Sequence, residues 1–172
     1  QNDKEMIYPD QFIPVLEKNG YVIDVDNFIW NKVCACIKMM EDKGIEPVPI
    51  SVNVSRMHVY QEKFTENLKN MAGEYGIDPK YIPLEITESA FTKEEGSLFK
   101  KVQSLQGYGF KFSMDDFGSG YSSLGMLKSE RVDEVKIDKT FVDDIATDKG
   151  KVLLGNVIRM INELGIDMIA EG

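Results

Sequence analysis

Residues 84–118 read LEITESAFTKEEGSLFKKVQSLQGYGFKFSMDDFG and contain one complete strand–helix–strand unit. Ile82 to Ile86 has a strand pattern that runs into Thr87-Glu88-Ser89. Thr92-Lys93-Glu94-Glu95 has the spacing of a capping box, which starts a helix by satisfying its free N–H groups. Leu98, Val102 and Leu105 then share one helix face. Phe110, Phe112 and Met114 return to the two-residue period of a strand, which ends in Asp115-Asp116. This order predicts two parallel strands with the helix packed outside them.

The alternation continues in both directions. Pro9 to Glu17 predicts a short helix, with Pro9 in the first turn and Phe12, Ile13 and Leu16 on one face. A longer helix follows from about Asp26, with a stripe of Ile29, Val33, Ile37 and Met40 and a cap at Gly44. Pro47 to Val54 turns strand-like through Ile50, Val52 and Val54. Phe64, Leu68, Met71 and Tyr75 make a helical stripe that stops at Gly76. Val135 and Ile137 mark a fourth strand. Val152 to Leu164 predicts a last helix ended by Gly165, and Ile166 to Ala170 a last strand. No linker or low-complexity tract divides the chain, so it reads as one α/β domain. Periodicity alone leaves an open sheet and a barrel as alternatives. A complete (β/α)8 barrel takes ~200 residues or more, and 172 residues fall short of it.

The composition is that of a globular protein, with 42% hydrophobic and 28% charged residues. No apolar run approaches the ~18 residues of a membrane span, and Gln1 to Glu5 is too polar for a signal peptide. The net charge of −9 argues against a nucleic-acid polymer as ligand, because each phosphate contact needs a cation. A small phosphorylated ligand remains open if bound metal offsets its charge. Cys34 and Cys36 diverge on a helix and cannot bridge, so both read as structural thiols in a reducing, cytoplasmic setting. Met39-Met40 reads as core, and His58, the one histidine, as a surface or loop residue.

Polar residues gather where the strands end. Asn53, Glu85, Asp115, Lys136 and Glu171 are separated by 32, 30, 21 and 35 residues. These are βα-unit spacings, which let the side chains converge at the C-terminal face of a barrel. Asn and carboxylate oxygens without His or Cys suit hard divalent ions such as Mg2+ or Mn2+. Adjacent Asp115 and Asp116 need a cation nearby if both are to be anions. A carboxylate bridging two metals about 4 Å apart is a phosphodiester-cutting geometry. Lys136 then orients the attacking water or neutralises phosphate charge, and Glu171 accepts a proton from that water. Strand-end residues also cap helices or pair with lysines, and for Asn53, Glu85 and Asp138 taken singly both readings stand. Glu88 reads either as a ligand or as support for the loop after Asp116. Asp116-Phe117-Gly118 spells a kinase triplet, but no Gly-rich ATP loop or His-Arg-Asp loop accompanies it. The run also lacks the alternate acidic spacing of an EF-hand.

Taken in order, these motifs resemble the EAL domain, a family of cyclic di-GMP phosphodiesterases. The resemblance is carried by Pro9-x-x-Phe12-Ile13-Pro14-x-x-Glu17, Val52-Asn53-Val54-Ser55, Leu84 to Ser89, Asp115 to Leu124, Val135-Lys136-Ile137-Asp138 and Ala170-Glu171-Gly172. It covers nearly the whole chain. It implies a modified TIM-type (β/α) barrel and hydrolysis of cyclic di-GMP to linear pGpG with two Mg2+ or Mn2+ ions. By position, Asn53, Glu85 and Asp115 would hold the first metal, with Asp115 bridging and Asp116 on the second. Lys136 would touch the water or the scissile phosphate, and Glu171 would be general base or a second-metal ligand. Glu88 would hold the loop of Phe117, Gly118, Ser119, Gly120 and Tyr121. Implied partners are cyclic di-GMP, a second copy in a homodimer, and a diguanylate cyclase or sensor domain in a parent chain that is itself free to be membrane-anchored.

The Glu-Ala-Leu strand expected before Pro9 is absent, as are the strands expected beyond Gly172. Residues 1–172 therefore read as a partial EAL domain, an incomplete barrel lacking its first and last strands, with weak or no turnover expected of this stretch alone. The alternative from another functional class is a non-catalytic cyclic di-GMP-binding regulatory module of the same fold. A metal-binding Glu and a substrate-contacting Arg are expected on the absent first strand, but Asn53, Glu85, Asp115, Asp116, Lys136 and Glu171 all remain, which favours the enzyme.

Overall fold

The strands are short, and stretches such as Leu84–Thr87 and Glu134–Ile137 alternate apolar with polar residues. That pattern lets a sheet bury one face against helices and keep polar groups on the other. The structure, a computed structural model, describes residues 6–91, 95–118, 127 and 132–170. Helices α1 (Pro9–Asn19) and α2 (Val22–Asp42) precede strand β1 (Val52–Asn53), a 3-10 turn (Arg56–Tyr60) and α3 (Phe64–Tyr75). Strand β2 (Leu84–Thr87), helices α4 (Glu88–Phe91) and α5 (Glu95–Gln106) and strand β3 (Phe112–Phe117) follow. Strand β4 (Glu134–Ile137), helices α6 (Lys139–Asp143) and α7 (Asp148–Glu163) and strand β5 (Asp167–Ala170) complete the described chain.

The five strands form one parallel sheet in the order β1-β2-β3-β4-β5. Consecutive parallel pairing with helices between the strands is the arrangement predicted for an arc of a barrel. The expected 47–54 strand is shorter as regular sheet. Pro47 and Pro49 have no N–H to give, while Ile50, Val52 and Val54 donate to the carbonyls of Tyr81, Pro83 and Glu85, each at 2.9 Å. The 92–95 capping box includes residues outside the described set.

The core lies between the sheet's apolar face and the helices. Leu84, Ile86, Phe112, Met114, Val135 and Ile137 from the strands meet Leu68 of α3, Leu98 and Leu105 of α5 and Ile161 of α7. α3 buries Phe64, Leu68 and Met71 and leaves Tyr75 half-buried, α5 buries Leu98, Val102 and Leu105, and Gly76 closes α3 in the left-handed region at φ 64°. α2 departs from expectation. Its buried stripe is Val22, Asp26, Trp30, Cys34 and Ile37, while Ile29 and Met39 are exposed. The true stripe passes through an aspartate, and reading only apolar residues shifts its phase. Met39-Met40 is therefore not a core pair, since Met40 is only half-buried. Among the described residues, no helix is long and apolar enough to cross a membrane.

Cys34 is fully buried, and burial pushes its thiol up to about 11. Cys36 is half-buried. At pH 8 an alkylating reagent is expected to modify Cys36 and spare Cys34 in the folded chain, and to modify both in denaturant. Mass spectrometry after timed labelling checks this.

Candidate active site

Strand alternation places Glu85 on the face opposite Leu84 and Ile86, Ser113 and Asp115 opposite Phe112 and Met114, and Lys136 opposite Val135 and Ile137. Register pairs Asn53 with Glu85, Glu85 with Ser113, and Thr87 with Asp115. The Lys136 ammonium lies 3.3 Å from Glu85 Oε1 and 3.3 Å from Asp115 Oδ1. All three side chains are mostly shielded, at 11–16% exposure. The same Asp115 Oδ1 accepts the Asp116 N–H at 3.1 Å. Below Asp115 on this face, the Ser113 hydroxyl is buried and finds no hydrogen-bond partner among the described residues.

Asp116 needs a special backbone. Phe112 and Met114 face the core, so unbroken alternation would send Asp116 there too. Instead β3 carries a bulge. Met114 pairs with Val135, and the next pairing is Phe117 with Ile137, so three steps on β3 match two on β4. Asp116 takes φ 57°, and the extra residue returns Phe117 to the core at 2% exposure. A non-glycine residue in this region is uncommon, and Asp tolerates it better than most.

The loop after the bulge is anchored from below. Glu88 is buried, and its Oε2 accepts the Gly118 N–H at 3.2 Å. Gly118 has φ 96°, and a Cβ there would lie 2.3 Å from the Phe141 ring. Ser119, Gly120, Tyr121 and Glu171 lie outside the described residues. Asp138 caps α6: its Oδ1 accepts the Thr140 N–H at 2.8 Å, which is the capping alternative for that residue.

Asn53 is exposed on β1, beside a cavity of about 560 Å³ that Phe12, Ile13, Leu16, Arg56 and Glu85 help to line. That volume suits a small organic ligand. Its backbone is held from α2, where Trp30 Nε1 donates to the Asn53 carbonyl at 3.0 Å. Asp26 Oδ2 accepts the Ser55 N–H at 3.2 Å and lies 3.0 Å from His58 Nε2. His58 is 1% exposed, so of the two alternatives, surface or loop, the surface one is corrected: the residue sits in the 3-10 turn with its ring buried. The 3-10 turn carries the ring inward under Trp30, a placement no local sequence signal announces. Sequence reading also missed Asp26, whose one available signal is its i, i+4 spacing from Trp30 on the buried face of α2.

Among the described residues, no three His, Cys, Asp or Glu side chains form a metal cage by themselves. The donor chemistry still fits a hard cation. Glu85 and Asp115 already converge on one positive point, the Lys136 ammonium, and the amide of Asn53 and the carboxylate of Asp116 belong to neighbouring strand ends.

The EAL domain profile matches residues 1–172. The chain belongs to the EAL domain family. It is 33% identical over 171 residues to the signaling protein YkoW of Bacillus subtilis (strain 168), covering 99% of this chain and 21% of that protein. It is 28% identical over 168 residues to the bifunctional diguanylate cyclase/cyclic di-GMP phosphodiesterase MucR of Pseudomonas aeruginosa, covering 97% of this chain and 24% of that protein. The solved PaMucR phosphodiesterase in complex with c-di-GMP superposes with a TM-score of 0.91 at 27% identity, over 100% of this chain and 70% of that one. The chain thus spans about a fifth to a quarter of the length of these curated relatives. Its sheet is an arc of the TIM-barrel-like EAL fold.

Replacing Lys136 with Met leaves Glu85 and Asp115 facing each other without their ammonium. The expected cost is on the order of 2 kcal/mol, a Tm loss of roughly 4–8 °C in EDTA. Added Mg2+ or Mn2+ should recover more Tm in this variant than in the wild type, as read by calorimetry. Gly118→Ala is expected to cost about 1–3 kcal/mol through its φ and the Phe141 contact. Adding Phe141→Leu should restore only part of that loss, because the backbone strain remains.

Proposed function

We propose that this domain hydrolyses cyclic di-GMP to linear pGpG as part of a longer signalling chain. What supports the reading most is the meeting of Glu85, Asp115 and Lys136 on one face of β2, β3 and β4, in a chain matched by the EAL profile from end to end. The names of MucR and of the PaMucR complex supply the substrate and the companion cyclase domain.

In this reading Asn53, Glu85, Asp115 and Asp116 hold two divalent ions, Mg2+ or Mn2+. Bound there, the metals supply Lewis-acid stabilisation of phosphate charge and a more acidic water. Lys136, already oriented by two carboxylates, donates to the attacking water or to a phosphate oxygen. Glu171 takes the proton from that water as its oxygen bonds to phosphorus. One phosphodiester P–O bond opens, and the released ribose oxygen takes up a proton. Glu88 keeps the segment from Phe117 in place through Gly118, and the cavity beside Asn53 accommodates part of the ligand.

Full-length protein with Mn2+ should convert cyclic di-GMP to pGpG, followed by chromatography. Asp115→Asn should lower the rate by ~100-fold or more, the equivalent of several kcal/mol, while the protein stays folded. Saturable binding of cyclic di-GMP without any product would instead identify a receptor.

A further inference from the structure

β1 is a two-residue strand, and among the described residues it pairs only with β2. Two ladder positions hold a side chain loosely, yet Asn53 must be placed to within a fraction of an ångström to serve as a ligand. The restraint comes from a buried polar cluster on α2. Asp26 and Trp30 lie one turn apart on the same helix face, at 7% and 2% exposure. Trp30 grips the carbonyl of Asn53 itself, and Asp26 grips the N–H of Ser55 two residues on. His58 completes the cluster. As a carboxylate Asp26 can only accept, so the ring's Nε2 is the donor. The ring centroid lies 4.5 Å from that of Trp30 and 5.6 Å from that of Phe64, so it is wedged in the core.

An apolar trio would pack in such a place without the cost of burying a carboxylate. What the polar trio adds is direction. It fixes two backbone groups on either side of Val54, and with them the rotation of β1 about its own axis. We propose that Asp26, Trp30 and His58 are positioning residues that aim the Asn53 amide at the first metal, a role resting on the metal-dependent reading above. They do not touch substrate. They set how tightly the site takes up a divalent ion.

The test uses full-length protein and Mn2+ alone, with free Mn2+ counted by electron paramagnetic resonance. Trp30→Phe, Asp26→Ala and His58→Ala should each weaken Mn2+ binding by about 10-fold, the usual scale for residues that orient a metal ligand. Asp26→Asn and His58→Gln keep an acceptor and a donor, and should restore wild-type affinity. KM for cyclic di-GMP at saturating Mn2+ should stay within about 2-fold of wild type. Leu154→Ala, a buried truncation on α7, should lower Tm and leave Mn2+ affinity unchanged. Unchanged Mn2+ affinity in a folded Asp26→Ala variant overturns the proposal while leaving the metal reading intact. If Asp26→Ala does not fold, unchanged affinity in Trp30→Phe overturns it equally. A wild-type protein that takes up no Mn2+ overturns both.

Discussion

The Lys136 ammonium stands between Glu85 and Asp115, and those three side chains come from three consecutive strands. Two carboxylates this shielded from water repel each other strongly unless a cation lies between them. The lysine supplies that cation, and its position depends on the parallel register that sets β2 beside β3 and β3 beside β4. The sheet order and the site are therefore one constraint. A one-residue slip of β4 would turn Lys136 toward Phe112 and Met114 and Val135 toward the carboxylates.

The bulge in β3 follows from that constraint. A strand with two consecutive aspartates at its end must put one of them on the core side, unless its period is broken. The left-handed residue at Asp116 breaks it, at a cost of about 1–3 kcal/mol. The break also restores the phase, so Phe117 fills the core position that Asp116 would have taken. The backbone then turns at Gly118, close against Phe141, in a space that no Cβ fits. Asp115-Asp116-Phe117-Gly118 is thus one physical unit: site-facing carboxylate, ejected carboxylate, core plug and close-approach turn.

This explains which parts of the molecule were legible in the sequence. Strand alternation and βα spacing are local properties, so the ends of β2, β3 and β4 were readable as one cluster from their residue types alone. The α2 stripe is not legible in apolar residues alone, because its buried face contains Asp26 and apolar periodicity slides to Ile29 instead. The placement of His58 depends on contacts with Asp26, Trp30 and Phe64, which are distant along the chain. No periodicity carries such information. The bulge was half legible: adjacent aspartates announced an anomaly, while its resolution needed the register of β4.

The acidic balance of the chain gains a local meaning from the same geometry. A protein with 29 acidic and 20 basic residues is a poor host for a doubly anionic ligand over most of its surface. Arg56, at the rim of the cavity, is already within 3.8 Å of Glu17, and Lys136 is shared between two carboxylates. Among the described residues, the cations near the cavity are therefore already engaged by carboxylates. If the ligand is a cyclic dinucleotide, its affinity must be drawn from cations that the carboxylates recruit. Metal and ligand then assist each other by the same factor, whichever binds first. On the proposed metal-dependent reading, a small phosphorylated ligand could share those cations, whereas the further charges of a polyanion would meet an acidic surface.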